Sequence, residues 1–247
     1  MKKLFIIPDI HAPFHDRLAM RLVRLAIKEF VPDIVVQMGD LLDCYSISSF
    51  CVDPARRIQF VDEVKKTNEL LTSLDEACGS AEKIITLGNH EERLDRYMQS
   101  KAPALVGVKG LSVEELLHCK ERGWKVVPYK DYHRIGKAIF THDLDYGYAG
   151  VARRAIRDAQ HTVIVGHAHR IEEVVEGDAM GTPKFAACFG WLGSADMADY
   201  KHRLKANRDW AQGFGIGYME STGVVHFQAI PIVYGGCCLN GKQLKVK

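Results

Sequence analysis

The feature that most constrains the fold is a strand–loop–helix pattern that recurs along the first hundred or so residues. A short apolar run ends in a polar loop, and a segment with apolar residues at helical spacing follows. The pairs of apolar run and helical segment are Lys3–Pro8 with Arg17–Phe30, Ile34–Met38 with Ile58–Ala77, and Lys83–Leu87 with Glu91–Ser100. Strands that alternate with helices in this way predict helical crossovers and a largely parallel sheet.

The second half of the chain has a different pattern. Trp124–Tyr129 and Tyr132–Thr141 are predicted as strands that flank a short turn, Arg153–Gln160 as a helix and Thr162–Val165 as a buried strand. The remainder is rich in strand-forming residues and glycine, and it contains no linker or repeat. These patterns predict an α/β fold.

The length of 247 residues and the 47% hydrophobic content allow one large domain with a sizeable core. We expect a single domain over residues 1–247, with the chemically interesting motifs in 9–169 and a strand-rich C-terminal part in 170–247.

Composition and charge limit the cellular location and the kind of partner that the chain can have. The net charge is only +2, so it does not demand a polyanionic partner. The seven cysteines are odd in number and form no C-x-x-C pair, which argues against a disulfide framework or a cysteine zinc site. Pro8 and Asp9 interrupt the first apolar run before it reaches the length of a signal peptide. We therefore expect a cytoplasmic protein that does not enter a membrane.

Five polar motifs each follow an apolar run directly. They are Asp9-x-His11, Gly39-Asp40-x-x-Asp43, Gly88-Asn89-His90-Glu91, Thr141-His142 and Gly166-His167-x-His169. Each is weak by itself, but strand ends that converge in one sheet would bring several carboxylates and imidazoles together. A bound divalent cation removes the cost of burying such a group. The oxygen and nitrogen ligands, without thiolate, suit Mn²⁺, Fe or Zn²⁺.

As an ordered set, these motifs resemble the signature of the calcineurin-like metallophosphoesterase superfamily. The resemblance implies a four-layer αββα sandwich with two facing mixed β-sheets. It also implies two divalent metal ions, with Mn²⁺ favoured and Fe, Zn²⁺ or Ni²⁺ as alternatives. The implied ligands are Asp9, His11 and His169 for the first ion, Asn89, His142 and His167 for the second, and Asp40 as a bridge between both.

The resemblance also implies a reaction. A hydroxide that bridges the ions would attack a phosphate ester, and His90, oriented by Asp43, would donate a proton to the leaving oxygen. Asn89, His90 and Arg93 are the candidate contacts to the substrate. Glu91 could be a hydrogen-bond acceptor behind the ligands or an acid in the first turn of the next helix, and both interpretations stay open.

Two further residues near the fourth motif affect the choice of ligand and the structure of the loop that carries it. His133 is a rival to His142 as a ligand, although only His142 ends an apolar run. Asp143 stands where many family members have glycine, which predicts a differently built loop.

The implied activity is hydrolysis of phosphodiester and also phosphomonoester bonds, with a DNA or RNA or nucleotide phosphodiesterase as the leading subclass. A phosphoprotein phosphatase is an alternative, but Cys44 and Tyr45 follow Asp43 where those enzymes have Arg-Gly. A non-catalytic binding scaffold of the same fold is the alternative from another class, and such proteins tend to lack ligands that this chain retains.

Three segments could form the rim of the site: Cys44–Arg57, Glu92–Gly123 and Gly190–Trp210. Arg93 and Arg96 lie three positions apart on a predicted helix, where a solvated face is the favoured interpretation over a phosphate contact. The basic clusters at 153–157 and 201–208 leave a nucleic-acid partner open. The oligomeric state is left open as well.

Overall fold

A computed structural model describes residues 1–50, 53, 56–146, 149–177, 180–195 and 209–246. Its first sheet consists of β1 (Lys2–Ile7), β2 (Ile34–Gln37), β3 (Glu82–Thr86), β4 (Trp124–Val127), β10 (Gly213–Met219) and β11 (Val225–Pro231). The strand order is β11-β10-β1-β2-β3-β4. Strands β1 to β4 are parallel, and β10 pairs antiparallel with both β1 and β11.

The second sheet consists of β5 (His133–Ile135), β6 (Ala138–Thr141), β7 (Thr162–Val165), β8 (Ile171–Gly177) and β9 (Pro183–Phe189). The strand order is β5-β6-β7-β9-β8, with antiparallel strands at both edges. A separate hairpin is formed by β12 (Gly236–Leu239) and β13 (Lys242–Lys245).

The described helices are α1 (Arg17–Phe30), α2 (Phe60–Cys78), α3 (Glu92–Lys101), the short α4 (Val113–Leu116) and α5 (Val151–Ala159). Helix α1 begins at Asp16, whose carboxylate accepts hydrogen bonds from Leu18 N and Ala19 N at 2.8 and 2.9 Å. This satisfies two of the backbone donors that a helix start leaves free. Among the helices of the described ranges, none combines the length and apolar composition that a membrane crossing requires.

Alternate residues of the central strands face different layers. Phe5 and Ile7 of β1 pack in one cluster with α1 and α2, whereas Leu4 and Ile6 pack in a second cluster with residues of the other sheet. A third cluster joins the outer face of the second sheet to α5. Strands buried on both faces explain the continuous apolar runs in the sequence. The four layers are helix, sheet, sheet and helix, which confirms the predicted αββα sandwich.

Two details of the predicted elements are wrong. The predicted single strand Tyr132–Thr141 is two strands, β5 and β6, which form a hairpin in the second sheet, whereas β4 belongs to the first sheet. Helical spacing over 58–77 also predicts Val61 on the apolar face of α2, but its side chain is exposed. The buried face centres on Thr67, Leu71 and Leu74, and Val61 lies about a third of a turn away from it.

Candidate metal centre

The polar motifs meet where the carboxyl ends of the two sheets face each other. Asp9 follows β1, Asp40 follows β2 and Asn89 follows β3 in the first sheet. His142 and His167 follow β6 and β7 in the second sheet. Each strand ends in a loop that turns its polar side chain toward the gap between the sheets, as expected for strand ends in α/β proteins.

The first cluster contains Asp9, His11, Asp40 and His169, all buried, with ligand atoms within 4.8 Å of one another. Nε2 of His169 lies 3.1 Å from Oδ2 of Asp9 and 3.0 Å from Nε2 of His11. Nε2 of His11 lies 3.8 Å from Oδ2 of Asp40. Imidazole nitrogens and carboxylate oxygens that converge in this way could hold a divalent cation.

The second cluster shares Asp40 with the first and adds His142 and His167, again within 4.8 Å. The amide oxygen Oδ1 of Asn89 completes it, at 3.1 Å from Nε2 of His142 and 2.8 Å from Nδ1 of His167. All seven predicted ligands therefore lie in two adjoining groups, with Asp40 common to both. The structure brings them together, and their role as ligands stays a prediction.

Asp9 provides a test of whether these residues suit a cation. Both carboxylate oxygens of Asp9 are buried and lack a hydrogen-bond partner, since His169 approaches Oδ2 without hydrogen-bond geometry. Burial opposes ionisation of Asp9, yet the nearby imidazoles of His169 and His142 hold its pKa below the usual value. A buried carboxylate without donors is costly. A cation would supply the missing partner, so the residues fit one.

The charges in the second cluster are strongly coupled. Burial opposes ionisation of Asp40, but the charges of His142 and His90 hold its pKa well below the usual range. Burial disfavours the charged form of His142, but the Asp40 carboxylate raises the pKa of that imidazole to about 10. In the first cluster, by contrast, burial lowers the pKa of His169 to about 4. A cation at the second cluster must therefore displace a proton from His142.

Backbone acceptors and a buried acid orient the ligands. Nδ1 of His142 lies 2.6 Å from the carbonyl oxygen of Met38, which leaves Nε2 facing the cluster. Glu91, 1% exposed, accepts hydrogen bonds from Gly88 N at 2.7 Å, Asp40 N at 3.0 Å and Leu42 N at 2.8 Å. Of the two interpretations of Glu91, the structure supports the buried acceptor behind the ligands.

Two motif glycines lie so close to candidate ligands that a side chain in their place would clash. Gly39 has a φ of 94°, and a Cβ atom there would lie 2.5 Å from Nδ1 of His142. A Cβ atom on Gly88 would lie 2.2 Å from Oδ1 of Asp40. Four predicted ligands also have left-handed backbones, which side chains rarely adopt: His11, Asp40, His167 and His169. Such strained backbones concentrate at functional sites, where surrounding contacts hold them.

His90, Asp43 and Arg93 lie beside the first cluster. Oδ2 of Asp43 is 2.9 Å from Nδ1 of His11 but 3.4 Å from Nδ1 of His90, whose closer partner is the backbone oxygen of Asp43 at 2.9 Å. Arg93 donates to that same backbone oxygen at 2.9 Å and to Nε2 of His90 at 3.0 Å. The Asp43 carboxylate therefore lies between two imidazoles, where the sequence predicted a pairing with His90 alone.

With this geometry established, comparison with known proteins decides the family. The calcineurin-like phosphoesterase family model matches residues 2–218. The chain belongs to the calcineurin-like phosphoesterase family. Membership confirms the resemblance seen in the motifs and supports a hydrolase activity in general.

Two curated relatives of this phosphoesterase come from mycobacteriophages. It is 30% identical to the Gene 54 protein of Mycobacterium phage D29 over 264 residues and 27% identical to that of phage L5 over 267 residues. Each alignment covers 99% of both chains. Neither relative's description states an activity.

Two solved structures are similar over most of the chain. A Vps29 single mutant from Entamoeba histolytica has a TM-score of 0.48 at 13% identity and covers 99% of both chains. YfcE, a phosphoesterase from E. coli, has a TM-score of 0.43 at 13% identity, with 92% of this chain and 98% of that one covered. At this level of similarity, neither structure bears on the activity of this phosphoesterase.

The phosphoesterase site contains two tryptophans from the predicted rim segment Gly190–Trp210 whose contact with a candidate ligand the sequence did not predict. Trp191 stacks on His169 with ring centroids 5.0 Å apart, and Trp210 meets the same imidazole edge-on at 4.3 Å. Trp191 comes two residues after β9 ends, so the strand-end rule that located the ligands would also have found it. Together the two indoles wall off one side of the first cluster.

Side-chain contacts of Asp143 hold the loop after His142. Asp143 is buried, accepts a hydrogen bond from the Tyr129 hydroxyl at 2.5 Å and accepts another from Asp145 N at 3.0 Å. The rival ligand His133 belongs to none of the candidate metal clusters found in the described ranges.

The structure describes only one of the two basic clusters. On α5, Arg153 and Arg157 lie 3.9 and 3.6 Å from Oε1 of Glu176, and Arg154 lies over the Tyr146 ring. The cluster at 201–208 lies outside the described residues.

Proposed function

We propose that this chain is a dinuclear-metal phosphodiesterase, most active with Mn²⁺, that also hydrolyses phosphomonoesters. The observation that carries the proposal is the pair of adjoining clusters that share Asp40 and contain a buried Asp9 carboxylate that accepts no hydrogen bond. Two bound cations would supply a hydroxide nucleophile at neutral pH and would neutralise the charge of the phosphoryl group. A nucleic-acid or nucleotide phosphodiester is the leading substrate class.

The protein's own groups would position the substrate and supply a proton. Arg93 lies at the edge of the clusters, with a guanidinium that can turn from His90 to a phosphate oxygen. That movement would free Nε2 of His90 to carry a proton to the leaving oxygen. The Asp43 carboxylate, 3.4 Å from Nδ1 of His90, would stabilise the protonated imidazole. Asn89 would hold both the second cation and a phosphate oxygen.

The test begins with removal of metal by a chelator, followed by addition of Mn²⁺, Zn²⁺ or Mg²⁺. Activity is then measured on bis-p-nitrophenyl phosphate and p-nitrophenyl phosphate. We expect turnover of the diester to be greatest with Mn²⁺. Absence of turnover on both esters with every metal would refute the proposal.

Two variants separate the roles of the residues. Asp40→Asn should lower the occupancy of both cations, because this carboxylate belongs to both clusters. His90→Ala should retain near wild-type metal content and lower kcat by roughly 10²- to 10⁴-fold. Metal analysis of the purified variants distinguishes them, and loss of one metal equivalent in His90→Ala would reassign that imidazole as a ligand. This outcome is a real alternative, because His11, Asp43 and His90 also have ligand atoms within 4.8 Å.

The phosphoprotein phosphatase alternative is less well supported. Cys44, where those enzymes have arginine, is fully buried with a left-handed backbone, so this position does not present a side chain to a substrate. The scaffold alternative and the cytoplasmic location stay predictions.

A further inference from the structure

A cleft opens directly beside the second cluster. Its volume is about 420 Å³, and Asn89 and His167 form its inner end. The loop around Ile47–Phe50 forms one wall, and α3 forms another. The cleft is therefore continuous with the proposed site of phosphate hydrolysis.

Helix α3 presents one face to this cleft. The residues of α3 that line it are spaced three and four apart: Arg93, Arg96, Tyr97, Ser100 and Lys101. Leu94 and Met98, on the adjacent face of the helix, are buried in the core. The helix is thus fixed by its apolar face, and its polar face is held toward the clusters.

Two aromatic side chains are exposed on the cleft walls. Tyr97 is 42% exposed, and Phe50 on the facing loop is 66% exposed. Exposed rings of this size beside a buried polar site suit stacking against a planar ligand. A substrate that offered only a phosphate and an aliphatic group would leave both rings unused.

The charges around the cleft are unevenly distributed. The α3 wall carries Arg96, paired with Glu92 at 2.5 Å, and Lys101. The opposite side carries Asp143, which already accepts from the Tyr129 hydroxyl, and Asp145, which is paired with Lys130 at 2.5 Å. Each carboxylate keeps lone pairs that can accept a further hydrogen bond. A ligand that extends from the clusters would therefore meet cations on one side and carboxylate acceptors on the other. A neutral base with N–H donors matches this environment better than a second phosphate would.

We propose that this cleft is the subsite for the nucleobase of a nucleoside phosphate ester whose scissile phosphate lies at the two clusters. Tyr97 stacks on the base, and Phe50 covers it from the facing loop. The inference rests on the proposed phosphodiesterase function and names its substrate class.

The kinetic test compares two esters with the same leaving group. The p-nitrophenyl ester of thymidine 5′-phosphate contains a base, and methyl p-nitrophenyl phosphate does not. Tyr97→Ala should raise KM for the thymidine ester by roughly 5- to 100-fold, the range expected for loss of one stacking contact. It should leave kinetics on the methyl ester unchanged, and Tyr97→Phe should restore the wild-type KM. Gln99→Ala is the matched control, since Gln99 is exposed on the same helix and does not line the cleft.

Equal effects of Tyr97→Ala on both esters, or no effect on either, would overturn the subsite. A binding measurement separates this failure from failure of the proposed function. Calorimetry with thymidine 5′-phosphate and the full chain in chelator should show weaker binding to Tyr97→Ala than to wild type. If neither ester is hydrolysed with any metal but this difference persists, the enzymatic proposal fails and the subsite stands. If binding does not depend on Tyr97, the subsite is wrong.

A length series identifies the source of the nucleotide. Binding of thymidine 5′-phosphate is compared with binding of single-stranded oligothymidylates of increasing length at several salt concentrations. Affinity that rises with length and falls steeply with salt indicates a nucleic-acid substrate, and a flat response indicates a free nucleotide. Both results support the base subsite, provided that Tyr97→Ala weakens binding, and the subsite is refuted if it does not.

Discussion

Replacement of Glu91 by glutamine tests how the second and third motifs are held together. The Glu91 carboxylate is buried and accepts three backbone N–H donors, so it joins the loop that carries Asp40 to the loop that carries Asn89. Glutamine has nearly the same shape but only one acceptor oxygen. If that oxygen takes the place of Oε2, the side-chain NH₂ group faces the N–H of Leu42.

The expected loss of stability follows from these contacts. One buried donor without a partner costs about 1–3 kcal/mol. The other two bonds change from charge-assisted to neutral, which removes roughly 0.5–1 kcal/mol each. Part of this loss is offset. Burial and the charge of Asp40 raise the pKa of Glu91, so its negative charge is unfavourable in this position, and glutamine removes that charge. We expect a net loss of about 2–4 kcal/mol out of a typical 5–15 kcal/mol for a domain.

The assay is urea denaturation of the metal-free protein, followed by metal analysis after reconstitution with Mn²⁺. Glu91→Gln should lower the free energy of unfolding by the amount given and should reduce the occupancy of both cations, because Asp40 belongs to both clusters. Asp95→Asn is the control, since Asp95 is exposed on α3, the helix that follows Glu91. A free energy of unfolding within about 0.5 kcal/mol of wild type would show that Glu91 does not hold these loops.

Three further predictions concern separate contacts. Gly88→Ala should reduce metal content severely, because its Cβ would lie 2.2 Å from Oδ1 of Asp40; wild-type metal content in this variant would contradict the packing argument. Titration with Mn²⁺ should quench the fluorescence of Trp191 and Trp210, which both contact His169, and the double variant Trp191→Phe/Trp210→Phe should lose most of the response. An unchanged response would place the cation elsewhere. Burial lowers the pKa of His15 to about 4, so the folded state resists protonation and stability should fall as the pH drops from about 6.5 to 4. Urea denaturation in chelator should show this loss as a difference of up to about 3 kcal/mol between the pH profiles of wild type and His15→Asn, because groups such as His169 contribute to both profiles; equal pH profiles would exclude it.

Local patterns in the sequence were enough to find the candidate ligands. Short apolar runs that end in Asp, Asn or His identify strand ends, and the period of two or 3.6 residues depends only on neighbours along the chain. The family resemblance then assigned the seven predicted ligands to two groups, and the fold places them in those groups. The glycines of the motifs are also explained locally, by backbone angles and close approach at Gly39 and Gly88.

Other features depended on which distant segments become neighbours. The sequence could not show that Asp43 lies closer to His11 than to His90, that Trp191 stacks on His169, or that the faces of α3 and the 47–50 loop enclose a cleft. Nor could it show that β4 and β5, only a few residues apart, belong to different sheets. Strand pairing and loop packing are set by the burial of apolar faces across the whole domain. Which segments become neighbours therefore produces no periodic pattern in the local sequence. The sequence alone therefore determined the chemical groups and their strand ends, and the tertiary structure decided how those groups face one another.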